Sequence, residues 1–304
     1  MIKNISFSKK IVVSLIAASV AVALCIAFGG CAPGSFNPEK KDPQLKTPDI
    51  LENGKLKVGV DFGNPPFAGE TSKAAGIDID TASAIADDLG LEVEFVDVGT
   101  SPDLALSNKK CDIVMGVSKA TNVQEIWKSD VYIKTACALF AKDEKASVPV
   151  AGGADTFASE MASQSAIACQ SQFSAANIKL CGSISEAFEK LNNGEVKYVA
   201  ADAVIGTYTS NNIDGDSSLV CLISKPSGYC IGALKDKTNL CNKVKATLEN
   251  LSKGGVLEVI EKRWLGKSLN LDSVQQTAGA ANQADAGELE AGVYSQTHPD
   301  NYTP

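Results

Sequence analysis

The 304-residue chain contains one arginine, Arg263, and one histidine, His298. With a single guanidinium, a carboxylate or phosphate can be gripped by at most one two-pronged donor, and Arg263 lies far along the chain from the stretch "GVSKATNVQE" that follows the apolar run "CDIVM". With the imidazole in the C-terminal tail, no Ser-His or Cys-His pair can assemble in the body of the chain, which argues against nucleophilic catalysis. No two cysteines have the two-residue spacing of a zinc knuckle, so neither a metal site nor a cofactor is expected. Aromatic residues are scarce at 6%, but apolar residues make up 44%, which fits a soluble globular body of one large or two modest domains.

What is present first is an export signal. Lys3, Lys9 and Lys10 precede an apolar run from Ile11 to Phe28, and Gly29-Gly30-Cys31 follows. The run could also span a bilayer as an uncleaved anchor. The two glycines before Cys31, and the tether-like "APGSFNPEKKDPQLKTPD" after it, resemble a bacterial lipoprotein signal, with Cys31 lipidated. Residues 1–30 are then a signal peptide and residues 31–50 a lipid-anchored flexible tether. Either version places the domain outside the cytoplasm. Loss of the three lysines, with no acid removed, takes the formal charge from −8 to −11. So acidic a surface is repelled by phosphate backbones, and no nucleic-acid partner is expected.

Seven further cysteines, Cys111, Cys137, Cys169, Cys181, Cys221, Cys230 and Cys241, remain. Export permits disulfides, but the number is odd, so at least one thiol stays free or pairs elsewhere. Small buried apolar residues are the alternative.

From Lys46 the text is regular. "GKLKVGV" reads as a strand stopped by "GNPPFAG". "DTASAIADDLG" places Ala82, Ile85, Ala86 and Leu89 on one helix face, with Asp80 or Thr81 as cap and Gly90 as stop. "LEVEFVDV" is a strand, "SPDLALSN" a short helix and "CDIVM" a buried strand, which is the β-α-β-α-β text of a mostly parallel sheet. "IKTACALFAKDEK" reads as one outward strand before a linker. A second unit then repeats the pattern: "SAIACQ" as a strand, "SQFSAAN" as a short helix, the capping box of Ser183 and Glu186 opening a helix, and "VKYVAAD" as a strand ending at Asp202. "YCIGALK" is a further strand, followed by helices at Leu240 to Leu251 and Val256 to Trp264. Residues 269–304 lack a period and are expected to be disordered.

In open α/β sheets ligands bind beyond the carboxyl ends of strands. That rule selects Asp61 to Phe67, with Asn64 in the turn, then Gly116 to Lys119, Gln170 to Gln172, and Asp202. For Asp61 and Asp202 the plain alternative is a solvated turn or helix cap, and for Phe67 it is core.

"LKVGVDFGNPPFAG", "AGIDIDTASAIADDLGLEVEFVDV", "NKKCDIVMGVS", "SDVYI", "AFEKLNNGEVKYVAADAVIGTY" and "VLEVIEKRWLG" occur in this order over about 210 residues. Together they resemble the extracellular solute-binding proteins of family 3, the polar amino-acid receptors of ABC importers. The resemblance implies an α/β fold of two Rossmann-like lobes joined by hinge strands, the periplasmic binding protein type II architecture. It implies lobe 1 at 51–142 and 231–268, lobe 2 at 143–230, and hinges near Ala141 and Gly232. It also implies that Asp202 binds a solute ammonium, that Asp61 and Phe67 form lobe 1 wall, and that Gly116 and Ser118 offer N–H and hydroxyl donors.

The family's carboxylate-clamping arginine should fall in "KATNVQE", where Asn122 and Gln124 stand instead. Its glycine-threonine turn in lobe 2 should fall where this chain has "QSQ". Lys119, or N–H groups at a helix start after Gln170 and Ser171, could take over the anion. Otherwise the solute lacks a carboxylate and is cationic or polar, held by Asp61 and Asp202. The expected partners are a small-molecule solute, ABC permease subunits and the membrane through the lipid anchor, with the receptor a monomer. A sensory lipoprotein, or an enzyme on the same fold such as a dehydratase or a cell-wall lytic enzyme, are the rival readings.

Overall fold

The structure, a computed structural model, describes residues 41–70, 73–99, 101–120 and 122–280. The export segment, Cys31 and His298 lie outside these residues. Two five-stranded sheets organise the chain. The first contains β1 (Lys55–Val60), β4 (Glu92–Asp97), β5 (Ile113–Ser118), β6 (Ile126–Thr135) and β12 (Ser227–Leu234), in the order β4-β1-β5-β12-β6. β1 is parallel to β4 and β5, and β12 is antiparallel to β5 and β6. A short pair, β2 (Gly69–Glu70) and β3 (Ala74–Ala75), follows the turn after β1. The second sheet runs β11-β7-β10-β8-β9, built from β7 (Cys137–Ala141), β8 (Phe157–Glu160), β9 (Ile178–Cys181), β10 (Tyr198–Asp202) and β11 (Ser218–Leu222).

Among the described residues seven α-helices cover the sheets. α1 (Ile77–Asp88), α2 (Pro102–Ser107), α6 (Thr238–Lys253) and α7 (Val256–Leu265) pack on the first. α3 (Gln164–Gln172), α4 (Ile184–Asn192) and α5 (Ala203–Asn212) pack on the second. Each sheet has its own apolar cores, one around Leu56, Ile85 and Ile231, another around Phe140, Phe188 and Val199. Helix α4 follows its sequence signals closely: Ser183 Oγ accepts the Glu186 N–H, and Ala187, Phe188 and Leu191 are buried. Among the described residues no helix is long and apolar enough to cross a membrane.

Several expectations are corrected. "SAIACQ" lies within helix α3, because Ser163 accepts the Ala166 N–H and starts a helix whose small residues Ala166, Ala168 and Cys169 face the core. The outward strand is two strands, broken at Ala136, since β6 belongs to the first sheet and β7 to the second. The crossings therefore lie at Ala136 and at residues 223–226, not near Ala141 and Gly232, and β7 joins the second sheet. The cap of α1 is Gly76, not Asp80 or Thr81. Its φ of 150° and a Cβ position only 2.0 Å from the Phe67 carbonyl oxygen leave room for glycine alone.

Residues 41–50 and 269–280, expected in the tether and the tail, instead belong to the folded body. Leu45 and Ile50 are buried in the first core, and the Gln44 N–H donates to the Leu89 carbonyl. At the other end Leu271 and Ala280 are buried, and residue Gln276 bridges Leu222 at the second sheet. Apolar contact, invisible to periodicity in so short a segment, orders both. All seven cysteines of the body are buried free thiols. Burial pushes Cys169 and Cys221 up to about 12, so they behave as small apolar residues.

Candidate functional site

The wall contributed by the first sheet starts at the end of β1. Asp61 Oδ1 accepts the Gly63 N–H at 2.9 Å, and its carbonyl accepts the Asn64 N–H at 3.3 Å, a turn closed by an aspartate in the usual way. Asn64 in turn accepts the Phe67 N–H at its carbonyl, 2.9 Å away. Phe67 is 2% exposed and meets the Tyr229 ring edge-on, with centroids 4.9 Å apart. It is core beneath the wall, the plain alternative noted for it.

Within β5 Gly116 has a φ of 74°, which suits glycine. Its N–H is already used: it donates to the Tyr132 hydroxyl at 3.1 Å, and that hydroxyl donates to Asp78 Oδ1 at 2.5 Å. A donor expected to face the solute thus ends a buried internal chain. Asp78 is 3% exposed, and burial, with the Asp61 charge adding to it, raises its carboxyl to about 7 against the opposing Tyr132 bond. Ser118 Oγ accepts the Ala120 N–H at 3.3 Å. Lys128 donates to the carbonyl oxygens of Ser118 and Lys119 and so pins the loop after β5. Burial, then the nearby Lys119 charge, lowers its pKa. Lys119 and Asn122 are exposed.

The second sheet contributes Asp202, last residue of β10 and cap of α5. Its Oδ1 accepts the N–H groups of Val204 at 2.8 Å and Ile205 at 3.1 Å. Its Oδ2 accepts the hydroxyls of Thr135 at 2.7 Å and Tyr229 at 3.4 Å. Withdrawal from solvent raises its pKa, and these four donors oppose the shift. Asp202 is therefore both a cap and a carboxylate facing the first sheet's residues.

Gln170 and Ser171 are corrected. They lie in the last turn of α3, about 9 Å along the axis from its start, where Ser171 Oγ donates to the Ala168 carbonyl. The helix start is at Ser163-Gln164, preceded by Ala162 with φ 62°. A left-handed residue followed by a hydroxyl cap therefore opens α3 at Ala162-Ser163.

One cavity collects the groups that converge. Ser118, Thr135, Ala136, Cys137, Gln164, Asp202, Ser224, Lys225, Ser227, Gly228 and Tyr229 line it. Of the ten sequence candidates it includes Ser118 and Asp202; Lys119 lines a different cavity, with Lys134 and Asp272. Gln164, Lys225, Tyr229 and Thr135 were missed. Thr135 adjoins the first crossing and Lys225 lies in the second, and a corrected hinge position was the signal that would have found them.

The profile of the bacterial extracellular solute-binding proteins, family 3, matches residues 56–267, and the chain belongs to that family. It is 21% identical over 266 residues to the L-cystine-binding protein TcyA of Bacillus subtilis (strain 168), covering 84% of this chain and 98% of that protein. Its fold is that of an ancestral cationic amino acid solute-binding protein, with TM-score 0.61 and 24% identity over 70% of this chain and 96% of that one. The unliganded, open L-cystine receptor of Neisseria gonorrhoeae is similar, with TM-score 0.60 and 18% identity over 71% of this chain and 94% of that one. The two sheets with their helices are thus the two lobes of a type II periplasmic binding protein.

Proposed function

We propose that the chain is the receptor of an ABC importer and captures a small polar, amine-bearing solute, an amino acid or a derivative, by closure of its lobes. The observation that carries this reading is Asp202. It stands at a strand's carboxyl end on lobe 2, faces Tyr229 and Thr135 of lobe 1, and has hydrogen-bond donors around it but no cationic partner among the described residues. A solute ammonium supplies the missing charge. The names of its relatives, binders of cystine and of cationic amino acids, favour the same class.

The solute's anionic end has no arginine to meet. The Gln164 and Ser165 N–H groups at the start of α3 have no acceptor among the described residues, and Gln164 lines the cavity of Asp202. These groups, moved from the expected Gln170, are the backbone donors we assign to it. Closure buries the solute and forms the surface a permease reads. Lipidation at Cys31 holds a monomeric receptor on the outer face of the membrane.

Binding rather than turnover is favoured by the relatives, which are named as a binding protein and a solute receptor. One similar fold belongs to an ancestral amino-acid-binding precursor of cyclohexadienyl dehydratase, so turnover is assayed alongside binding. The test is a thermal-shift and calorimetric screen of L-amino acids and amines. A ligand at 100 times its dissociation constant stabilises by about 2.7 kcal/mol. Unaltered affinity in the double variant Asp61→Asn, Asp202→Asn would overturn the reading.

A further inference from the structure

We propose that Lys225, on the second crossing between the lobes, receives the carboxylate of the solute and sets the preference for amino acids over the matching amines. This rests on the reading just given, of an amine held at Asp202. The inference starts from where the other cations near the lobe boundary lie. Arg263 pairs with Asp80 at 3.2 Å and lies 5.7 Å from the Trp264 ring. Lys128 is bonded to two carbonyls of the loop after β5. Lys134 is paired with Asp272 at 2.6 Å, and Lys119 lines the cavity around that pair. Lys225 is exposed, its ammonium has no hydrogen bond or ion pair among the described residues, and it is the one cation among those lining the Asp202 cavity.

Its place in the chain adds a mechanical argument. Pro226 restricts the residue before it to extended backbone. On the other side Ser224 Oγ accepts the Cys137 N–H at 2.9 Å, which ties this crossing to the one at Ala136. Lys225 therefore starts from a fixed point at the pivot, where lobe closure displaces atoms least. Its ammonium meets a carboxylate in the open form as well as in the closed one, so the charge contact belongs to first capture, and the contacts of Asp61 and of α3 are added on closure.

A lysine in this role differs from the arginine it replaces. It is a point charge without a planar fork, so it does not discriminate the geometry of the anion. Because it is exposed, its contact is screened by salt. The chain should thus accept sulfonate analogues, and its preference for the anionic solute should decline as salt rises.

The experiment measures dissociation constants of the full chain by calorimetry for three matched pairs: L-arginine and agmatine, L-histidine and histamine, L-cystine and cystamine. Wild type, Lys225→Gln and Lys225→Arg are compared at low and high salt. For the pair that binds, wild type should favour the amino acid. Lys225→Gln should weaken amino-acid binding about 10- to 100-fold and leave the amine unchanged, while Lys225→Arg keeps the preference. Salt should erode the preference in wild type but not in Lys225→Gln. An unchanged preference in Lys225→Gln, or equal loss for both members of a pair, would overturn the inference while leaving amine binding at Asp202 intact. Wild-type binding of amines alone would do the same. Binding of neither member of any pair would instead remove the amine reading and this inference with it.

Discussion

Thr135 Oγ1 donates to Asp202 Oδ2 across 2.7 Å, joining the last residue of a lobe 1 strand to the carboxylate of lobe 2. Thr135 is one residue from the crossing at Ala136, so the bond lies at the pivot. Asp202 also caps α5 through Val204 and Ile205. Removing its side chain should therefore cost stability and binding together. Asp202→Ala should lose about 1 to 2 kcal/mol, from the missing cap and an unsatisfied Thr135 hydroxyl. Asp202→Asn keeps an oxygen for the two N–H groups, so it should lose much less in urea unfolding yet lose solute affinity as fully. Equal stability losses in the two variants would refute the cap.

The buried pair of Asp78 and Tyr132 makes stability depend on pH. Burial raises Asp78 to about 7 in the folded chain, against an unfolded value near 3.8. Between those values the folded state holds the proton more tightly, so stability falls as pH rises through the window and is unaffected below it. The Asp78→Asn variant can still accept the Tyr132 bond and has no charge to bury. Melting temperatures from pH 4 to 8 should decline more steeply in wild type than in Asp78→Asn, with the variant the more stable of the two at pH 8. Parallel curves would refute it.

Some of this was legible in the sequence. Helix α4 was, because its cap and its apolar face are both local: Ser183 lies three residues before Glu186, and Ala187, Phe188 and Leu191 share one side. Asp202 was legible because it ends an apolar strand. Helix α3 was not, since "SAIACQ" alternates small and apolar residues and a short run of that kind fits either period. That error displaced the expected helix start from Ser163-Gln164 to the stretch after Gln170. Asp78 and Tyr132 are 54 residues apart, and only the folded chain brings them together. Lys225 was hidden by hinges placed one strand too late.

Ala162 holds a left-handed φ of 62° just before α3, without glycine's freedom. Left-handed backbone costs an ordinary residue about 1 to 2 kcal/mol, and a β-branched one more. Ala162→Gly should match or exceed wild type by up to about 1 kcal/mol, the gain being reduced by the greater freedom of an unfolded glycine. Ala162→Val should be destabilised relative to both. Denaturant midpoints rank the three, and a valine variant as stable as wild type would contradict the backbone assignment.

The segment after α7 makes a third passage between the lobes. Leu269, whose N–H donates to Glu261 at 2.8 Å, packs on the cores of both lobes, and Leu271 is 1% exposed in that of lobe 2. Leu222 donates to the Gln275 carbonyl and accepts the Thr277 N–H, each at 2.9 Å. Thr277 Oγ1 then donates to Gln172 Oε1 at 2.6 Å, and Gln172 Nε2 donates to the Ile223 carbonyl at 2.6 Å. The strap thus grips lobe 2 where the second crossing begins. The Lys134–Asp272 pair crosses the same boundary, but its side chains are 55% and 64% exposed, so it contributes less than about 1 kcal/mol. Ending the chain after Ser268, rather than after Ala280, should cost at least about 3 kcal/mol through the lost leucine burial and hydrogen bonds. Asp272→Asn should change stability by less than about 1 kcal/mol. Urea unfolding of the three chains checks both values, and a Ser268 terminus as stable as the Ala280 terminus would show that the strap rests on lobe 2 without holding it.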